Sequence, residues 1–203
     1  MTRGLLFLLL LVQPARTLPT PQEWDAAERA IVRLKPDAFK NLAPAVRTDL
    51  YRRQCSIPQP DGLDDAGPHN VITGRFMSQT STDIAVLCSK GGVSTILVYR
   101  DGATKDVAML AAMADKSFLQ TGRSKAIEFS RSISVASPAQ MRIYHEASGA
   151  GKMPRLDHDG IDDAFVGKAS IVRYWTGENG WNYRAPTEWP CFTTPWEQRI
   201  KPS

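Results

Sequence analysis

Apolar positions early in the chain recur at the spacing of an α-helix. Trp24, Ala27, Ile31 and Leu34 fall on one face. Thr20-Pro21-Gln22-Glu23 supplies the start: Thr20 caps, Pro21 takes the first helical position and Glu23 closes a capping box. Pro36 ends the run, because proline lacks an N–H and its ring clashes with the preceding turn. A second, shorter helix is expected over residues 44–53 with Val46 and Leu50 inward. Residues 56–70 hold three prolines and two glycines among several aspartates and read as a loop.

From residue 71 the period shortens. Val71-Ile72-Thr73 reads as a strand, and Asp83-Ile84-Ala85-Val86-Leu87-Cys88 as a strand buried on both faces. Gly91-Gly92 turns the chain into a β-branched strand over residues 93–99, and Asp101-Gly102 turns it again, giving a β-meander. Residues 107–113 are rich in Ala, Met and Leu, which favours a helix, with a strand leading into a helix as the alternative. Residues 126–135 alternate as a strand, with Ile127, Phe129 and Ile133 apolar. Ser137-Pro138 opens a helix reaching about residue 147, broken by Gly149 and Gly151. Residues 164–174 form another strand region, Glu178-Asn179-Gly180 signals a hairpin, and residues 181–184 return. The expected fold is α+β: a single compact domain over residues 18–184, in which N-terminal helices pack on an antiparallel β-meander sheet.

The ends change where this domain is expected to work. Arg3 followed by an unbroken apolar run over residues 5–12 fits a secretory signal peptide of residues 1–17, since a membrane span needs about 20 apolar residues. Export, periplasmic or secreted, is therefore expected, with no stable membrane insertion after cleavage. Removing residues 1–17 leaves 23 basic against 21 acidic side chains, a net charge of +2. The basic residues are scattered, which argues against a nucleic-acid partner. Residues 185–203 form a tail with four prolines and two tryptophans. The three cysteines, Cys55, Cys88 and Cys191, allow three pairings in an oxidising compartment. Cys55 ends a predicted helix and Cys88 a predicted core strand, which favours that pair and leaves Cys191 over.

Candidate chemistry concentrates in Leu156-Asp157-His158-Asp159-Gly160-Ile161-Asp162-Asp163-Ala164-Phe165. Calcium takes several oxygen ligands on a loop that glycine lets turn sharply, and this stretch offers four carboxyls around Gly160. An EF-hand does not fit, since Lys168 stands at the twelfth position from Asp157. Two other uses of the stretch compete: an Asx-rich turn, or a catalytic metal held by Asp157, His158 and Asp159 that activates water in a hydrolase. The catalytic version would draw on His69 or His145, the only other histidines. No Gly-x-Ser-x-Gly and no Gly-rich phosphate loop is present. Trp175 and Trp181 flank the last hairpin, where they either line a glycan- or peptide-binding face or cover the sheet edge.

Arg155-Leu156-Asp157-His158-Asp159-Gly160-Ile161-Asp162-Asp163, followed by Ala164-Phe165-Val166, resembles the metal loop and strand of FG-GAP and related propeller repeats, D-x-[DN]-x-D-G-x-x-D. Asp157, Asp159, Gly160 and Asp163 match; Arg155 stands where an aspartate would be expected. The resemblance implies a structural calcium held by Asp157, Asp159 and Asp163. Gly74-Arg75-Phe76, with Asp83 at the last acidic position and Ile84-Ala85-Val86-Leu87 as the strand, resembles a second such unit whose loop has lost its metal. Repeat-like units over residues 71–100 and 155–184 fall far short of a propeller's blades. The chain is also similar to a group of exported bacterial proteins through Cys55-Ser56-Ile57-Pro58-Gln59 and the Asp-His-Asp-Gly segment, which implies export. The function expected is an exported, non-enzymatic binding or structural protein with a protein or glycan partner. The alternatives are a metal-dependent hydrolase and a partner-binding or inhibitor module.

Overall fold

The computed structural model describes residues 18–63, 67–122, 125–148, 157–177 and 180–181. The expected signal segment, the tail with Cys191, and Glu178 and Asn179 lie outside them. The first helix, α1 (Pro21–Ala30), starts as its sequence requires. Glu23 N–H donates to Thr20 Oγ1 at 3.3 Å, and the Glu23 carboxylate accepts from Thr20 N–H at 2.6 Å. It ends well before Pro36. Ile31 and Val32 are β-branched and leave the helix, and Arg33–Leu34 forms a strand, β1, paired antiparallel with β2 (Ile57–Pro58). The helix α2 (Pro44–Arg52) buries Val46 and Leu50 as expected.

A four-stranded antiparallel meander follows: β3 (Val71–Gly74), β4 (Asp83–Lys90), β5 (Val93–Tyr99) and β6 (Ala108–Ala114), neighbours in that order. Gly91 and Gly92 both take positive φ, 59° and 78°, in the β4–β5 turn. The Ala/Met/Leu segment is β6, a strand and not a helix. Its pairing with β5 shifts register between Ser94 and Ile96, and Ala111 adopts φ 51°, a bulge that turns its carbonyl to a partner described below. A 3₁₀ turn, Asp115–Phe118, leads to β7 (Leu119–Thr121).

The single strand expected over residues 126–135 is broken at Ser130. Its first part, β8 (Ile127–Phe129), pairs with β7; its second, β9 (Arg131–Ala136), joins a three-stranded antiparallel sheet with β10 (Gly160–Phe165) and β11 (Ala169–Arg173), in the order β11-β10-β9. Between them, α3 (Pro138–Ser148) is capped by Ser137 Oγ, which accepts from Gln140 N–H.

The layers follow from which face each strand residue takes. Val86, Cys88, Leu97 and Tyr99 meet Val46 and Leu50, so α2 covers one face of the meander. Ala85, Leu87, Ile96 and Val98 meet Ile133, Ile161 and Trp181, so the three-stranded sheet covers the other. Burial on both faces explains the unbroken apolar run of β4. Trp24 and Ala27 of α1 pack on a third cluster with Phe118, Leu119 and Phe129, so the two N-terminal helices divide: α2 takes the meander and α1 the β7–β8 ribbon. A Cys55–Cys88 disulfide, Cα–Cα 5.3 Å, ties the segment after α2 to β4. Among the described residues no helix is long and apolar enough to cross a membrane.

Candidate functional site

The acidic segment does not form one loop. Gly160 opens β10, so Asp162 and Asp163 are strand residues on opposite faces. Gly160 is needed for a close approach: a Cβ there would stand 2.8 Å from Val172 Cγ1 and 2.9 Å from Met141 Sδ. Asp163 faces the meander and meets Arg131, whose side chain is fully buried. Arg131 Nε donates to Asp163 Oδ1 at 2.9 Å and Nη2 to Oδ2 at 3.0 Å. Nη1 donates to Ser94 O and Oγ, Nη2 also to the Ala111 carbonyl that the bulge presents, and the guanidinium lies 4.5 Å from the Phe118 ring centre. Every donor of the buried arginine is used. Arg173 adds Nε and Nη2 bonds to Asp163 Oδ2. One ion cluster thus joins β5, β6, β9, β10 and β11.

Asp159 makes the second joint. Its carboxylate accepts from Arg75 N–H at 3.0 Å, Nε at 3.2 Å and Nη2 at 3.2 Å, and its own N–H donates to the Arg75 carbonyl at 2.9 Å. The Gly74-Arg75-Phe76 segment is thereby fastened to the start of the acidic segment. Asp83 organises the loop between β3 and β4 from within, accepting from Met77 N–H, Ser81 Oγ and Asp101 N–H. Among the described residues no group of three or more His, Cys, Asp or Glu side chains is placed to hold a metal ion.

Fastening residue 159 to residue 75 brings two loops face to face and leaves a cleft of ≈ 460 Å³ between them. Residues 77–79 form one wall; Asp157, His158, Tyr174, Trp175 and Thr176 form the other. The aromatic groups are held. His158 is buried and stacks on Tyr174, centroids 4.3 Å apart and planes within 7°. Its Nδ1 lies 3.1 Å from the Asp159 carbonyl, within donating distance. Trp175 meets buried Trp181 edge-on at 5.8 Å across the hairpin bridge. Asp157 N–H donates to Tyr174 Oη at 3.3 Å. Burial, with Asp157 close by, holds the Tyr174 hydroxyl above its ordinary range. Of the two tryptophans singled out in the sequence, Trp181 covers the core and Trp175 lines the cleft. His69 and His145 lie on neither wall.

Asp162, on the other face of β10, is buried with Oδ1 unpartnered, and burial pushes its carboxyl up from the ordinary carboxylate range, opposed by a hydrogen bond from the Ser170 hydroxyl and aided by the Asp163 charge. A raised folded pKa means the penalty is absent below the unfolded value and sets in as pH rises through the folded one. Asp162→Asn, which removes the buried charge and keeps the side chain's shape, is therefore expected to stabilise the fold near neutral pH. The gain should vanish toward pH 3, as urea unfolding at the two pH values would show.

Arg75, Arg173 and Tyr174 carry no local signal of these roles. The one legible hint is Arg131, a charged residue at an inward position of an alternating strand, which calls for a buried acid. Compared with protein-family models, curated proteins and solved structures, the chain finds no match in any of the three.

Proposed function

We propose that this is an exported, non-enzymatic binding protein whose ligand, a glycan, sits in the cleft between residues 77–79 and the Tyr174–Trp175 wall. The observation that carries the reading is an aromatic wall held in place from behind, Tyr174 by His158 and Trp175 by Trp181. A sugar ring offers an apolar C–H face and a rim of hydroxyls. Trp175 and Tyr174 suit the face, and Ser78, Gln79, Asp157 and Thr176 suit the rim. Fixed aromatic groups lose little freedom on binding. The apolar run behind Arg3 and the disulfide support export. The His158 ring is fixed by its stack on Tyr174 and by Nδ1 beside the Asp159 carbonyl, with Nε2 3.9 Å from Asp157 Oδ1. A calcium ion shared by Asp157, Asp159 and Asp163 would have to displace Arg75 from one carboxylate and two arginines from another.

Tryptophan fluorescence titrated with chitotriose, cellotriose and maltotriose tests this. One of them is expected to give a saturable change, weakened at least about tenfold, or about 1.4 kcal/mol, in Trp175→Ala. Silence with all three, or binding indifferent to Trp175→Ala, would overturn it.

A further inference from the structure

The outer face of the three-stranded sheet carries a second cleft, of ≈ 440 Å³, lined by none of the residues of the aromatic wall. In register, Ser134 of β9 stands opposite Asp162 of β10, and Ser132 stands opposite Ala164, diagonal to Asp162. Opposed residues bring their Cβ atoms to about 5 Å and leave diagonal neighbours within side-chain reach. All three side chains share one face and line this cleft with Val71, Ile72 and Val166. We infer that this cleft is a ligand site in which Asp162, Ser132 and Ser134 receive a primary ammonium group carried on an apolar stem.

Three features point to that chemistry. Asp162 is only 5 % exposed and lines the cleft; the Ser170 hydroxyl bonds its carboxyl, and Oδ1 is left without a hydrogen-bond partner. A buried acceptor left unmatched is relieved by a donor, and a cationic donor relieves a carboxyl most. His69 and Asn70 line the same cleft, and no lysine or arginine among the described residues does; the arginines bound to Asp163 lie on the other face of β10. An ammonium has three donors and no acceptor, which one carboxyl and two hydroxyls match, while the aliphatic walls suit a methylene chain. Asp162 thus destabilises the fold at neutral pH and serves the ligand, a trade common at binding sites. The inference is independent of the glycan reading, since the two clefts share no lining residue.

Amide NMR of the whole chain, titrated with hexylammonium, Nα-acetyl-lysine methylamide and hexanol, is the test. Saturable shifts are expected around Ser132, Ser134 and Ala164 with at least one of the two amines. Asp162→Asn should weaken that binding at least tenfold while leaving the weaker response to hexanol unchanged. Ser134→Ala, at an exposed hydroxyl, gives a second variant with its fold undisturbed and should weaken amine binding as well. Lysine derivative and hexylammonium binding alike would identify a polypeptide lysine as the ligand, and hexylammonium alone a free amine. No saturable shift with either, or amine binding unchanged in both variants, would overturn the inference.

Discussion

Asp163→Ala is expected to lower the unfolding free energy by about 3–5 kcal/mol, the cost of stripping one partner from a buried ion pair. The arithmetic is one of stranded charge. Arg131 is fully buried, and without Asp163 its guanidinium keeps only neutral acceptors, Ser94 and the Ala111 carbonyl. Arg173 loses its partner as well, but it lies nearer the surface and adds less. The same reasoning sets the sign of a control. Arg131→Met combined with Asp163→Leu removes both charges, so the double variant should be markedly less damaged than the sum of the two single ones. Urea unfolding of the three variants measures this. Additive losses would mean that the pair does not act as a unit.

Replacing both cysteines, Cys55→Ser with Cys88→Ser, is expected to cost about 3–4 kcal/mol by the loop-closure estimate for a separation of this size. The bond spans 33 residues, enough for the unlinked denatured chain to gain substantial freedom. Beside it, Ser56 and Ser89 exchange backbone hydrogen bonds at 3.0 and 2.7 Å, so the bond joins segments that are already bridged. Both sulfurs also sit in the cluster under α2. Reduction of the unaltered protein should lower the denaturation midpoint as far as the double substitution does. A midpoint indifferent to reductant would refute the contribution.

Periodicity reveals most of the frame. The capping box of α1 and the serine cap of α3 rest on interactions within a few residues, the inward pair Val46 and Leu50 of α2 and the β3–β4–β5 meander follow the local period of apolar residues, and each is where its sequence puts it. The readings that differ involve distant partners. Residues 108–114 have helical composition but form a strand because β5 offers a ladder and Leu110 enters the core. The break at Ser130 comes from the distribution of β8 and β9 between two sheets, which no local period records. The site divides in the same way. Asp157, Asp159, Asp163 and Trp175 are conspicuous in the sequence, but Asp159 finds its partner 84 residues away and Asp163 finds Arg131 at a distance of 32. Those separations decide whether a carboxylate is an ion-pair partner or a metal ligand, and spacing within one loop cannot show them.

The arginine-held reading of the acidic segment meets its most direct test in thermal unfolding of the protein in millimolar calcium against the same protein in chelator. With Asp159 committed to Arg75 and Asp163 to Arg131 and Arg173, the two curves are expected to superimpose. A calcium site filled at 100 times its dissociation constant would stabilise the fold by about 2.7 kcal/mol. A rise in the midpoint with calcium that disappears in Asp159→Ala would contradict the arginine-held reading and make the segment a metal loop.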